Sequence, residues 1–173
     1  MSLEQGIFPT ALKLAKVIPI FKTGKRNDIS NYRPISLLSI FSKIYEKVMY
    51  RRVIDYLNKK EYIYSRQYGF RAGHSCEHAL LDAQSTIAKT LEKKETALLL
   101  LIDFSKAFDM VDHELLLQKL MHCGIRGAAY LWFKSYLSCR KQFVSLNGAS
   151  SDVNWSMVYY KVASLARYYS QCI

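Results

Sequence analysis

Asp103 is the carboxylate whose sequence context points most directly to chemistry. It follows an uninterrupted apolar run at residues 97–102. A short run rich in Leu and Ile predicts a strand buried on both faces. An ionised carboxylate at the end of such a strand is costly to bury unless a cation meets it. We therefore expect a Lys, an Arg or a divalent metal ion against Asp103, or else a capping role for Asp103 in the next turn.

Positive charge is concentrated in the first half of the chain. The net charge of the 173 residues is +11, and residues 1–75 carry 14 Lys and Arg against 5 Asp and Glu. Residues 76–173 carry 11 against 9, so they are almost neutral. This asymmetry favours a polyanionic partner held by the first half, with a solvated basic surface as the alternative.

The cysteine spacing and the short apolar runs argue against several classes of protein. Cys76, Cys123, Cys139 and Cys172 lack C-x-x-C spacing, which argues against a zinc ribbon and a disulfide framework. The cluster His74, Cys76 and His78 has no fourth ligand at a usual spacing, so we expect a loop that leads into a helix there. No signal peptide or transmembrane run is visible, which favours an intracellular location, in the nucleus or the cytoplasm, without membrane contact.

Hydrophobic periodicity predicts an α/β fold with a central sheet. Residues 12–21 partly alternate and predict a strand, and the basic segment 22–28 predicts a turn. Asn31 to Pro34 predicts a second extended segment. Helical spacing predicts helices at 44–57, 77–93, 113–122 and 128–138. Residues 142–146 predict a strand, and Asn147-Gly148 predicts a hairpin after it.

Five sequence blocks taken together resemble the reverse transcriptase of non-LTR retrotransposons of the jockey-like kind. They occur in the order and spacing of that family between about residues 3 and 152. The blocks are residues 17–22, 31–38, 67–71, 101–113 and the Asn147-Gly148 pair. The resemblance implies a right-hand polymerase fold with fingers followed by palm. It also implies RNA-templated DNA synthesis with two Mg²⁺ ions, from a DNA primer and deoxynucleoside triphosphates.

The resemblance implies a catalytic and metal-binding group around Asp103. Asp103 resembles the first catalytic carboxylate, which bridges the two metal ions. The backbone carbonyl of Phe104 would contribute to the nucleotide-bound metal. Phe108 resembles the steric gate that excludes a ribose 2′-OH, although it could instead be a core residue. For Asp109 and Asp112 we expect a helix-start role rather than metal binding.

The resemblance also implies binding residues in the first half of the chain. Lys22 and Arg33 resemble the fingers residues that hold the incoming triphosphate. Ordinary solvated cations are the alternative for both. A third group resembles the segment that touches the template and the templating base, and its members are Gln67, Gly69, Phe70 and Arg71.

Two family elements are missing from the sequence. These are a glycine-rich block resembling GVPQGSILGPLLF and the Y/F-x-D-D turn that supplies the second catalytic carboxylate. No Asp or Glu follows Asp152. Read one base earlier, the codons of residues 157–172 can spell GVLQGSILGPLLFSMY, so we hypothesise a frameshift near residues 152–157, which the gene's nucleotide sequence tests. We divide the chain into a fingers-like part (1–95), a first palm segment (96–152) and an out-of-frame tail (153–173).

The sequence thus predicts a piece of an RNA-directed DNA polymerase with an incomplete palm sheet. Met1 is expected to be an internal methionine, with no endonuclease encoded. Because the second carboxylate is missing, we expect the chain itself to be inactive in DNA synthesis. Two rivals remain open: a nucleic-acid binder without catalysis, and a degenerate transposon fragment without function.

Overall fold

The computed structural model describes residues 1–104, 111–146 and 148–155. A short 3₁₀ turn at Thr10–Leu12 precedes the first strand, and another at Ile29–Asn31 lies between the first and second strands. The helices are α1 (Ser2–Gln5), α2 (Ile40–Lys59), α3 (Cys76–Glu92), α4 (His113–His122) and α5 (Gly127–Leu137). The strands are β1 (Leu14–Phe21), β2 (Tyr32–Leu37), β3 (Lys141–Leu146), β4 (Ala149–Ser150) and β5 (Asn154–Trp155). The predicted α/β class is confirmed, and so are the four long helices.

A mixed sheet joins the two ends of the described chain. Its strand order is β2-β1-β3-β4, and β5 also pairs with β3. β1 runs antiparallel to β2 and parallel to β3, with Leu14 opposite Lys141. β3 pairs with β4 with Leu146 opposite Ala149, a register that agrees with the two-residue hairpin predicted at Asn147-Gly148. Asn147 itself lies outside the described residues. Strands from the predicted fingers-like part (1–95) and from the predicted palm segment (96–152) therefore share one sheet.

The hydrophobic core lies between α2, α4 and α5. Trp132 is fully buried and stacks on Tyr136, with ring centres 5.3 Å apart and planes 10° from parallel. Phe8 meets both rings edge-on at 5.4 and 5.0 Å. The other core members are Met49, Val53, Leu57, Ile63, Leu116, Leu120, Ile125, Phe133 and Leu137. Offset stacking and edge-on contacts are the arrangements that aromatic rings prefer, so this cluster fixes α5 against the N-terminal segment.

Two polar features interrupt this core. Glu46 on α2 is 2% exposed, and its carboxylate accepts hydrogen bonds from the Tyr136 hydroxyl at 2.8 Å and the Ser42 hydroxyl at 3.3 Å. The Lys43 ammonium lies 3.4 Å from the same carboxylate. These partners compensate the cost of burying the carboxylate. The indole N–H of Trp132, by contrast, has no hydrogen-bond partner within the described ranges.

The strand that we predicted at residues 97–102 is wrong. Residues 95–104 form no helix or strand, and the side chains of Leu98 and Leu101 are 95% and 83% exposed. Leu99, Leu100 and Ile102 are also 60–78% exposed. A strand that is apolar on both faces forms only with neighbouring strands and covering layers. Within the described part of the chain, β1 and β3 bond to other strands and none pairs with this run.

Helix starts are set by short polar side chains. The carboxylate of Asp112 accepts hydrogen bonds from the backbone N–H groups of Glu114 and Leu115 at 2.8 and 3.0 Å. The predicted helix-start role of Asp112 is confirmed. Ser75 caps α3, and the Nδ1 atom of His78 accepts a hydrogen bond from the Ser75 backbone N–H at 3.2 Å. His74 therefore precedes α3 and His78 lies in its first turn, so this stretch leads from a loop into a helix, as predicted. Asp109 lies outside the described residues.

The helix α3 exposes apolar side chains instead of burying them. Leu80, Leu81 and Leu91 are 60–70% exposed, and no residue of this helix is buried. Its helical periodicity was sufficient to predict the helix but not its packing.

None of the helices in the described part of the chain is long and apolar enough to cross a bilayer.

His113 is expected to make the stability of the protein depend on pH. Burial at the start of α4 lowers the pKa of His113 below its ordinary value of 6.5, against the opposing charge of Asp112. The unfolded chain therefore binds the proton more tightly than the folded chain does. The free energy of unfolding should fall as pH drops below 6.5, until the pH reaches the lowered pKa of the folded state.

Urea unfolding of the wild type and His113→Asn at pH values on both sides of 6.5 measures this effect. The variant should show a smaller loss of stability in acid. His122→Asn, at an exposed position on the same helix, is the control and should keep the wild-type dependence. An unchanged dependence in His113→Asn would contradict the assignment.

Candidate nucleotide and nucleic-acid site

The hairpin of β1 and β2 brings the two predicted triphosphate-binding cations together. Arg33 lies opposite Ile20 in the antiparallel ladder, and Phe21 lies opposite Tyr32. The backbone N–H of Lys22, the next residue, donates a hydrogen bond to the carbonyl of Asn31 at 2.8 Å. Lys22 and Arg33 therefore sit within two ladder positions of each other, and both are exposed.

The turn between these strands is held by its own polar side chains. The Asp28 carboxylate accepts hydrogen bonds from the Ser30 hydroxyl at 2.7 Å and the Ser30 N–H at 2.9 Å. These two bonds lower the pKa of Asp28. The Asn31 amide donates to the carbonyl of Lys25 at 3.0 Å. Gly24 has a φ of +97°, and a Cβ there would lie 2.6 Å from the Asn31 amide nitrogen. The turn therefore requires glycine at that position.

We name residues 22–33 the hairpin tip. It carries Lys22, Lys25, Arg26 and Arg33 but only one carboxylate, Asp28. None of these four cations forms an ion pair with a carboxylate of the described residues. The Arg26 guanidinium lies 5.5 Å from the centre of the Phe21 ring. The sequence pattern predicts only a turn for Lys25 and Arg26. Their position in a basic run is the sequence feature that could have placed them in this cluster.

The four predicted template residues lie in the loop between α2 and α3. Arg71 donates hydrogen bonds to the carbonyls of Tyr64 and Ser65 at 3.4 and 3.3 Å. The Gln67 side chain donates to the carbonyl of Gly69 at 3.4 Å. Phe70 has a φ of +58°, which is unusual for a residue with a side chain, and its ring is 47% exposed. The loop thus presents an aromatic ring on a locally braced backbone.

Asp103 and Phe104 lie in an exposed segment without regular structure. The Asp103 carboxylate has no hydrogen-bond or ion-pair partner among the residues that the structure describes, and Phe104 is 76% exposed. The cation that we expected against a buried Asp103 is therefore not needed, because water solvates the carboxylate. Phe108, the predicted steric gate, lies outside the described residues.

The described residues do not fit a two-metal centre. They contain no group of three His, Cys, Asp or Glu side chains that could hold a metal ion. A two-metal site requires carboxylates that converge from separate elements, and among the described residues Asp103 belongs to no such group. Among the described residues, Asp103 is therefore the one carboxylate that the resemblance assigns to such a site.

Comparison with known proteins decides the family. Residues 21–160 match the family described as reverse transcriptase (RNA-dependent DNA polymerase). The chain belongs to the reverse transcriptase family. This membership confirms the resemblance found in the sequence and the α/β polymerase class. Membership of the reverse transcriptase family implies, in general, a divalent metal cofactor, a nucleic-acid template and nucleotide substrates.

Three curated Drosophila melanogaster proteins show which branch of the reverse transcriptases this chain resembles. It is 36% identical over 152 residues to the RNA-directed DNA polymerase from mobile element jockey. It is 33% identical to a probable RNA-directed DNA polymerase from transposon BS over 150 residues, and 32% identical to one from transposon X-element over 145 residues. These matches cover 83–87% of this chain but only 16% of each relative.

Proposed function

We propose that this chain supplies nucleotide- and template-binding surfaces of an RNA-directed DNA polymerase from a non-LTR retrotransposon. The observation that carries the proposal is the hairpin tip, where four cations lack ion-pair partners among the described residues. Such a cluster attracts polyanions. The 36% identity to the jockey polymerase supports the same function. The intact protein's substrates would be an RNA template, a DNA primer and deoxynucleoside triphosphates.

In this proposal Lys22 and Arg33 bind the triphosphate of the incoming nucleotide. The planar guanidinium of Arg33 can donate two parallel hydrogen bonds to phosphate oxygens. The ammonium of Lys22 adds a compact charge nearby. Lys25 and Arg26 would extend the positive field toward the nucleic-acid backbone. Phe108 is the proposed steric gate against a ribose 2′-OH.

The loop that holds Gln67, Gly69, Phe70 and Arg71 would contact the template. The half-exposed ring of Phe70 offers a face on which the templating base can stack. Arg71 already donates to two loop carbonyls, so its proposed part is to brace the loop. Gln67 would do the same through its bond to the carbonyl of Gly69.

For the intact domain we propose Mg²⁺, with Asp103 and the Phe104 carbonyl as metal ligands contributed by this chain. The described residues supply no converging second carboxylate. This favours, for the chain itself, binding of nucleic acid without catalysis. The division at residues 95 and 152, and the out-of-frame tail, remain predictions, and residues 156–173 lie outside the described part.

The hairpin tip is expected to make nucleic-acid binding depend on salt. Lys22→Ala combined with Arg33→Ala should weaken binding of a fluorescein-labelled RNA–DNA hybrid. Log affinity falls as log salt rises, and each lost phosphate contact makes this negative slope shallower by about 0.7–0.9. The double variant should therefore make it shallower by about 1.4–1.8. Fluorescence polarisation across a salt series measures the slope.

Lys89→Ala combined with Lys93→Ala provides the control, because it removes the same charge from exposed positions on and after α3. This control should leave the slope close to that of the wild type. Equal slopes in the two double variants would show that only net charge matters and would contradict a specific role for the hairpin tip.

The 173-residue chain is expected not to extend a DNA primer on an RNA template in the presence of Mg²⁺. Two-metal transfer needs more than one converging carboxylate, and the described residues contain no group of side chains that could hold a metal ion around Asp103. A gel assay with labelled primer measures extension, with an active reverse transcriptase as the positive control. Extension by the purified chain that Asp103→Asn abolishes would contradict this expectation.

A further inference from the structure

A cleft of about 250 Å³ opens between α2 and the turn that joins α4 to α5. Its floor is aliphatic and includes Met49, Val53 and Ile125, each less than 9% exposed. Leu3 and Ala129 complete the apolar lining. The volume lies below the range of about 300–1,000 Å³ typical of drug-sized ligands, so the cleft suits one or two side chains.

Two arginines line the same cleft, Arg52 from α2 and Arg126 from the residue that precedes α5. Neither forms an ion pair with a carboxylate of the described residues. Glu4 is close enough to interact with the charge of Arg52, but its carboxylate is hydrogen-bonded to the N-terminal ammonium at 2.8 Å. Two cations beside an apolar floor are complementary to a ligand that combines an apolar group with negative charge.

The lining favours a peptide over a nucleotide as the occupant. A nucleobase carries hydrogen-bonding groups around its edge, and burying them against aliphatic side chains would leave those groups without partners. The Tyr56 hydroxyl is already packed against the turn, since a Cβ at Gly124 would lie 2.4 Å from it. A leucine or phenylalanine side chain, in contrast, loses no hydrogen bond to water on burial there and gains from the burial of its apolar surface.

We propose that this cleft, with Arg52 and Arg126 beside it, is a docking site for an acidic peptide segment of a partner protein. An apolar side chain of the segment is the anchor in the cleft, and flanking Asp or Glu carboxylates pair with the two arginines. An apolar core surrounded by a polar rim is the usual organisation of protein interfaces. The site uses no residue of the hairpin tip, so the proposal goes beyond nucleic-acid binding.

Fluorescence polarisation with the labelled peptide Glu-Glu-Leu-Phe-Glu-Glu tests the proposal on the full chain. We expect saturable binding that Arg52→Ala combined with Arg126→Ala weakens by about tenfold or more, because charge-assisted hydrogen bonds are lost. Arg51→Ala, at the exposed neighbouring position outside the cleft, is the control for the loss of a nearby charge and should leave the affinity within about twofold.

A second arm tests the apolar anchor. Replacing Leu-Phe in the peptide by Ser-Ser should also weaken binding by about tenfold or more, since apolar burial is lost. Absence of saturable binding, an equal loss in Arg51→Ala, or equal affinity for the Ser-Ser peptide would each overturn the proposal. So would tighter binding of a labelled oligothymidylate that shows the same dependence on Arg52 and Arg126. Circular dichroism verifies that all the variants are folded.

Discussion

Replacing Trp132 with alanine is expected to lower the free energy of unfolding by about 3–5 kcal/mol. The indole is fully buried and contacts three other aromatic rings, those of Phe8, Phe133 and Tyr136. Truncation removes these contacts and leaves a cavity that the rigid helices α2 and α5 cannot close. Because domains are stable by only about 5–15 kcal/mol, much of the chain should unfold under mild conditions.

Urea unfolding followed by far-ultraviolet circular dichroism measures this loss. Leu131→Ala, one residue earlier on α5 and 51% exposed, is the matched control and should cost less than about 1 kcal/mol. Trp132→Phe should cost less than Trp132→Ala, because it keeps an aromatic ring and removes an indole N–H without a described partner. Similar losses for Trp132→Ala and Leu131→Ala would show that the core is not centred where the structure places it.

Replacing two leucines of the exposed apolar run is expected to suppress self-association of the protein. Residues 98–102 expose five consecutive apolar side chains, and no backbone hydrogen bond within the described part of the chain pairs residues 97–104. Exposed apolar segments with unpaired backbone groups associate edge to edge. Leu98→Glu with Leu101→Glu removes two side chains, each worth about 1.5–3 kcal/mol when buried. The association constant should fall by tenfold or more.

Sedimentation velocity over a range of protein concentrations measures this effect. The matched control is Leu81→Glu with Leu91→Glu, which places the same charges at leucines that are 61% and 60% exposed on α3. The backbone there is already hydrogen-bonded within the helix, so we expect the control to associate more strongly than the variant in the run. Equal suppression by both pairs would mean that exposed apolar surface in general drives association. The thermal unfolding midpoint should stay near the wild-type value in the run variant, since these side chains are largely exposed.

Local patterns predicted the elements whose information lies within a few residues. The helical spacing that predicts 44–57 gives α2, and Met49, Val53 and Leu57 are buried. Ile44 and Val48, which share that spacing, are exposed. Asn147-Gly148 predicts the turn between β3 and β4. The carboxylate of Asp112 caps the helix that follows it, which short-range capping rules predict.

Features that depend on distant partners were not predictable from these patterns. Glu46 lies among apolar helix positions, and its burial depends on the Tyr136 hydroxyl, which is 90 residues away. The run at 97–102 has the composition of a buried strand, but a strand also needs neighbours, and composition does not show whether they are present.

The same distinction between local patterns and distant partners applies to the residues of the candidate site. Motif resemblance selected Lys22 and Arg33 as candidates, a role that remains a prediction, while their closeness comes from the register of β1 with β2. The use of Arg71 to brace its own loop depends on the fold of residues 64–71, which no motif encodes. Roles that need a bound nucleotide, including those of Gln67, Gly69, Phe70, Phe104 and Phe108, remain predictions.

The parallel pairing of Leu14 with Lys141 has a consequence for synthesis on the ribosome. At about 5–20 residues per second, the first of these strands leaves the exit tunnel on the order of ten seconds before its neighbour is made. During that interval only the hairpin with β2 is available to it. The parallel half of the sheet can therefore be completed only late in synthesis, and a chaperone that shields β1 until then would increase the yield of native protein.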